Sequence, residues 1–186
     1  MKQITENKIV KRIMGGGNYY LTKAFYAPLL LFLFHNNIWL IYRSYHKKPA
    51  LWKKVLWNRY MELHAASISI DAKFASPLIL PHGVSGIFIT QSAIVGKDCV
   101  VFQQVTIGAN TIKSSKSYGA PTVGDSVYIG AGAKIIGNVS IGNNARIGAN
   151  AVIVKDVPEN TLAVIPAIRL IKKEVQLNNY FYPYLE

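Results

Sequence analysis

Residues 139–154 read VSIGNNARIGANAVIV, which places Ile141, Ile147 and Ile153 six residues apart. A helix repeats every ~3.6 residues and a half-buried strand alternates, so neither produces this rhythm by itself. Stepping outward by six finds Ile89, Val95, Val101 and Ile107, then Val123, Ile129, Ile135, Ile141, Ile147 and Ile153. Four places after each stand Ala93, Cys99, Val105, Thr111, Val127, Ala133, Val139, Ala145, Ala151 and Val157, all small or β-branched. Glycine directly follows six of the ten aliphatic positions, at 96, 108, 124, 130, 142 and 148. The pattern predicts a solenoid of short parallel strands. Each six-residue side turns one large and one small side chain inward, and stacked coils share a continuous core. Cys99 falls on a small inward position and reads as core filler. Ile68, Phe74 and Leu80, with Ala72, Leu78 and Val84, form a fainter start of the series.

Two excursions break the count. Leu80 to Ile89 is nine residues, three too many, and the excess contains His82. Ile107 to Val123 is sixteen, ten too many, and contains ANTIKSSKSYGAPT (109–122). Insertions in solenoids map to loops that commonly form the binding face, so both excursions are expected to converge on one site.

The chain has 186 residues, enough for one good-sized domain with a small appendage, and half of them are hydrophobic. A single cysteine excludes an internal disulfide framework and suits a reducing cytoplasm. The net charge of +12 is uneven: residues 1–64 hold 11 Lys/Arg against 2 Asp/Glu, whereas 65–171 hold 8 against 5. Such a basic N-terminal third points to a membrane surface or another polyanion. Nucleic acid has only charge in its favour and no recognised motif. The apolar run Ala24–Phe34 is 11 residues, too short to span about 30 Å of hydrocarbon. Residues 1–64 lack the six-residue rhythm and read as helices, one around 19–45, broken near Pro28 and Asn36-Asn37, and one around 50–63. They form either a packing element or a peripheral membrane element with Trp39, Trp52, Trp57 and flanking lysines at the headgroup level. Residues 172–186 are a tail beyond the solenoid.

The repeats from Ser67 to Ile171 resemble the hexapeptide-repeat acyltransferases. That resemblance implies a mainly β fold, a left-handed parallel β-helix over 65–171 with an N-terminal helical segment. The handedness comes from the family, since crossover rules alone favour the right-handed form. IGAGAKIIGNVSIG (129–142) and IGANAVIVKDVPENT (147–161) are similar to the serine acetyltransferase branch. LPHGVSGIFI (80–89), FQQVTIG (102–108) and APTVGDSVYIGAGAKIIG (120–137) resemble still more a subgroup of polysaccharide-biosynthesis O-acetyltransferases.

The resemblance implies acetyl-CoA as acetyl donor, no metal, and clefts between the subunits of a homotrimer. His82 matches the family's general-base histidine, a role that imidazole can fill because it titrates near neutrality. For acetyl-CoA the match points to Ala131, Arg146 and Ala149: small residues admit the pantetheine arm, and a cation can meet a phosphate. Gln103, Gln104, Lys113 and Lys116 are the candidate substrate-binding residues.

Serine enzymes carry an Asp before the base, an Arg-His pair before a proline, and an orienting Asp fifteen residues upstream. Here those positions hold Pro81, Gly119-Ala120 and Ser67, with Asp71 the possible replacement for the last. The loss of charge there favours a carbohydrate acceptor: a sugar hydroxyl in a capsular, O-antigen or exopolysaccharide precursor or polymer. On this expectation the enzyme is cytoplasmic, with peripheral contact at the inner face of the membrane. The rivals are a serine acetyltransferase of cysteine biosynthesis, a sugar N-acetyltransferase, and a non-catalytic scaffold or polyanion-binding solenoid.

Overall fold

The computed structural model describes residues 37–166. Two helices, α1 (Ile38–Lys47) and α2 (Leu51–Leu63), precede thirteen strands of two or three residues each. These are β1 (Ser67–Ile68), β2 (Lys73–Phe74), β3 (Phe88–Ile89), β4 (Ile94–Val95), β5 (Val100–Val101), β6 (Thr106–Gly108) and β7 (Thr122–Val123), followed by β8 (Tyr128–Ile129), β9 (Lys134–Ile136), β10 (Ser140–Ile141), β11 (Arg146–Ile147), β12 (Val152–Ile153) and β13 (Leu162–Ala163).

The strands form three parallel sheets, β1-β3-β6-β9-β12, β2-β4-β7-β10 and β5-β8-β11-β13, called faces A, B and C. The chain visits A, B and C in rotation, which makes a three-sided left-handed parallel β-helix. Partner spacing between neighbouring coils reads the excursions directly. Val152 pairs with Lys134 and Thr106 with Phe88, each 18 residues apart. Phe88 pairs with Ser67 at 21, and Lys134 with Thr106 at 28. The surpluses of three and ten are the two insertions.

Burial follows the repeat. All ten aliphatic positions from Ile89 to Ile153 are buried, as are nine of their ten small companions. Thr111 is the exception: it is exposed in the long excursion, and Pro121, two places before Val123, is buried in its stead. Each buried Ile or Val contributes about 1.5–3 kcal/mol by leaving water. Cys99 is fully buried, and its Sγ donates to the Gly124 carbonyl at 3.1 Å. Burial pushes the thiol up from its ordinary value, so it stays protonated core.

Corners need tight reversals. Asp98, Ser126, Asn144 and Asn160 at the B–C corner and Gln104 and Asn150 at the C–A corner have positive φ, which Asn and Asp tolerate better than most residues. At the B–C corner Asp125 and Asn143 reach the level before their own. Asp125 Oδ1 accepts from Lys97 N (2.7 Å) and Asn143 Oδ1 from Asp125 N (2.8 Å). Gly124 makes room for this, since a Cβ there would lie 2.4 Å from Asn143 Oδ1.

The helices cover the first coil, whose edge would otherwise present unpaired carbonyls. Trp57, fully buried, donates to Ile68 O; Tyr42 donates to Ala72 O at 2.9 Å; His46 Nε2 lies 2.9 Å from Ile70 O. Asn37 caps α1 by accepting from Trp39 N. Lys53 is buried and donates to the Ser44 and Lys48 carbonyls that end the same helix. Lys54 pairs with Asp71 at 2.5 Å. The basic, aromatic set expected to face lipid is therefore corrected in part: Trp57 and Lys53 are interior, Trp39 packs on Tyr42, Trp57 and Phe74, and Lys54 is engaged. No described helix is long and apolar enough to cross a membrane. The run Ala24–Phe34 and the tail 172–186 lie outside the described residues.

Candidate active site

Most of the candidate residues gather at one corner of the prism, where face C passes to face A. The chain crosses it through 80–87, which carries His82, then at 102–104, 130–132 and 148–150. Backbone bonds tie successive crossings: Gln104 N to Ser85 O (3.1 Å), Gly132 N to Gln103 O (3.0 Å) and Asn150 N to Ala131 O (2.8 Å). His82, Gln103, Gln104, Ala131 and Ala149 thus rise along a single edge. At about 4.8 Å per level, His82 and Ala149 are separated by roughly 14 Å. Small side chains keep the upper edge low, and Gly130 lies so close to the next level that a Cβ would sit 2.7 Å from Ala149 N. An extended ligand arm can lie against this backbone.

His82 is exposed on its loop and makes no hydrogen bond among the described residues. Its imidazole meets the Phe102 ring edge-to-face, centroids 5.5 Å apart, and Phe102 in turn contacts Tyr128 at 5.2 Å. Arg146 points outward from face C in register with Tyr128. Both line an open groove of about 590 Å³ together with Val100, Ser126 and Asn144. The aromatic pair therefore links the histidine loop to the groove that holds the arginine.

Lys113 and Lys116 are placed differently. Their excursion folds as a short antiparallel turn, with Asn110 and Gly119 exchanging backbone bonds, and docks on the next level through Asn138 N to Ser117 O (2.9 Å). It leaves the prism where face A passes to face B. The expected convergence of the two excursions is not met within one chain, because they flank face A from opposite corners. Insertion size was legible from spacing, whereas the corner each insertion occupies depends on the winding.

Asp71 does not orient His82. It serves the helix junction, accepting from Lys54 and from Tyr45 (3.1 Å), and the Lys54 hydrogen bond holds its carboxyl below the ordinary value. Ser67 sits exposed on face A, and His64 packs on Tyr60 with ring centroids 4.4 Å apart. Among the described residues no group of three His, Cys, Asp or Glu has metal-binding geometry.

Two residues at the edge escaped sequence reasoning. Lys134 Nζ donates to Gln104 O (2.7 Å) and Gly132 O (2.9 Å), clamping two levels of the corner. Phe102 follows inward Val101 where the next two coils have Gly130 and Gly148. That break in the glycine rule was the available signal.

The repeats of the three-sided coil have counterparts among known proteins. Residues 120–155 match the family model described as bacterial transferase hexapeptide (six repeats). A probable serine acetyltransferase 4 of Oryza sativa subsp. japonica is 35% identical over 115 residues, covering 62% of this chain and 35% of the relative. The serine acetyltransferase of Synechococcus elongatus is 37% identical over 77 residues, 41% of this chain and 30% of the relative.

Among solved structures, serine acetyltransferase isoform 3 of Entamoeba histolytica, in complex with cysteine, superposes with a TM-score of 0.62 at 32% identity. It covers 74% of this chain and 50% of that one. The Neisseria gonorrhoeae serine acetyltransferase in complex with serine gives 0.57 at 32% identity, 67% of this chain and 50% of that one. The chain spans about a third of the curated relatives' length and about half of the solved chains.

These likenesses overturn the carbohydrate assignment. The relatives and structural neighbours are named serine acetyltransferases, not polysaccharide-biosynthesis enzymes. Uncharged residues at 81, 119 and 120 do not by themselves indicate a carbohydrate acceptor. The loss of a charge at a position says which contact is missing and does not name another acceptor.

Proposed function

We propose that this chain transfers an acetyl group from acetyl-CoA to the hydroxyl of serine. The supporting observation is the C–A edge, where a loop histidine stands below a run of small residues, in a chain whose relatives bear that name. Acetyl-CoA fits what is present. Ala131 and Ala149 would flank the pantetheine arm, and Arg146 in its open groove would meet a phosphate. The thioester supplies the activated acetyl group. Neutral His82 takes the proton from the attacking hydroxyl, so transfer is direct and no acyl-enzyme forms. Gln103 and Gln104 lie between base and arm, on the acceptor side.

The chain offers serine no charge at Pro81, Gly119 or Ala120, so the zwitterion is held weakly and its KM should be high. A homotrimer belongs to the same proposal. Ile79, Phe88, Ile94 and Tyr128 are exposed on the outer faces, a surface suited to copies of the chain, and a neighbour could bring the Lys113–Lys116 excursion to the His82 edge.

The test is serine-dependent release of CoA thiol by the full chain, with O-acetylserine identified by mass. Turnover that His82→Ala abolishes supports the reaction. Absence of serine-dependent release at millimolar serine overturns it.

A further inference from the structure

The base proposed above lacks what usually aims an imidazole. A general base works only if its nitrogen is held within hydrogen-bond reach of the proton it removes, and no carboxylate, carbonyl or hydroxyl of the described residues bonds to His82. Its loop backbone is held by Gly83 N on Leu80 O (3.1 Å) and by Gln104 N on Ser85 O (3.1 Å), which leaves the imidazole's own direction unfixed. The imidazole itself meets one ring among the described residues, Phe102 at 5.5 Å and 73°.

Phe102 is itself well anchored. Its amide donates to Ile129 O at 3.1 Å, its ring is half-buried, and Tyr128 backs it from the next level. It also occupies a place that repeats elsewhere with another residue. On this edge the residue after the inward aliphatic is Gly130 in the next coil, where a Cβ would lie 2.7 Å from Ala149 N, and Gly148 in the one after, where it would press on the Val164 side chain at 2.9 Å. The coil beside the histidine loop alone of these three carries an aromatic ring there.

We propose that Phe102 is the positioning residue for His82: its ring, propped by Tyr128, fixes the imidazole's direction in place of a carboxylate. The assignment rests on the His82 reaction, and the experiment separates the two. A hydrogen-bonded carboxylate would both aim the ring and stabilise its cation, whereas an edge-to-face ring contact aims it mainly by packing and quadrupole attraction. The expected consequence is a loss in turnover without a loss in donor binding, because the pantetheine edge lies on other levels.

The full chain, labelled with isotope in histidine, is compared as wild type, Phe102→Leu, Phe102→Tyr, Tyr128→Leu and His82→Ala; the last assigns the His82 ring signals. In Phe102→Leu, kcat for serine-dependent CoA release should fall about 10- to 100-fold, the cost of a misaligned reacting group. KM for acetyl-CoA should hold, and the His82 ring resonances should move as the ring current is lost. Phe102→Tyr keeps the ring and should recover most of the rate. Tyr128→Leu, which removes the prop and is compared at an oligomeric state checked to equal the wild type's, should shift both readouts in the same sense by less. Unchanged kcat in Phe102→Leu overturns the proposal, as does a fall in kcat with His82 resonances that stay in place. A wild type without serine-dependent turnover defeats the reaction instead, and the resonances then decide alone whether Phe102 holds the imidazole.

Discussion

At the scale of single residues, the proposed chemistry turns on one proton. A positioned general base contributes about 10² to 10⁴ in rate, so His82→Ala should lower kcat by that order and leave KM for acetyl-CoA nearly unchanged. Steady-state kinetics of both proteins, each checked for an intact fold, test this. Core residues make a second prediction. Ile135 is fully buried between neighbouring levels, and Ile135→Ala should cost about 2–5 kcal/mol in denaturant unfolding. These inward positions were readable before any coordinates because the six-residue step dictates them. Thr111 misled because the step was carried four residues into an insertion, where the pattern no longer applies and Pro121 takes over.

Among the elements, the helical pair and the first coil stand or fall together. Trp57 is fully buried with its indole N–H on Ile68 O. Trp57→Ala should cost about 3–5 kcal/mol, measurable by chemical denaturation, and should loosen α1 and α2 from β1. The Lys54–Asp71 pair adds a smaller, pH-dependent part. Asp71 is lowered in the folded chain, so its contribution is present above the ordinary carboxylate range and disappears as pH falls through the lowered value. Lys54 is raised by the same hydrogen bond, so its share is lost only as pH climbs through the raised ammonium value. With side chains 41% and 36% exposed, the pair is screened and worth under about 1 kcal/mol. Asp71→Asn should therefore unfold slightly more easily at neutral pH, and the difference should close in acid. The α2 segment was visible in the sequence around 50–63, but its duty was not. Lysines and tryptophans beside an apolar run read equally as a membrane belt or as a lid on a coil. Only the partners, here Ile68 for Trp57 and Asp71 for Lys54, separate the two.

For the molecule as a whole, the exposed apolar residues on the outer faces argue that the single chain is not the working unit. Light scattering should give three copies, and a monomer at working concentration would remove the shared cleft. Because the long excursion and the histidine loop flank face A from opposite corners, the cleft would have to be completed by a second copy. The shared cleft is implied by the resemblance, whereas the opposite-corner placement was beyond sequence reasoning, which counts residues along the chain but not turns about the axis.

Each coil raises the C–A edge by one level whatever its number of residues, 18 between Lys134 and Val152 and 28 between Thr106 and Lys134, so the edge acts as a molecular ruler. Its length is set by how many coils lie between the histidine loop and the uppermost alanine, not by any one side chain. Excising Lys134–Ala151 joins Ala133 to Val152, which then takes the place of its register partner Lys134, so the shortened prism should still fold. It would measure about 4.8 Å less from loop to tip and would lose Arg146 and Ala149. The shortened protein should melt cooperatively yet bind acetyl-CoA poorly by calorimetry. The number of coils would then decide whether the edge reaches far enough to carry both ends of the donor site.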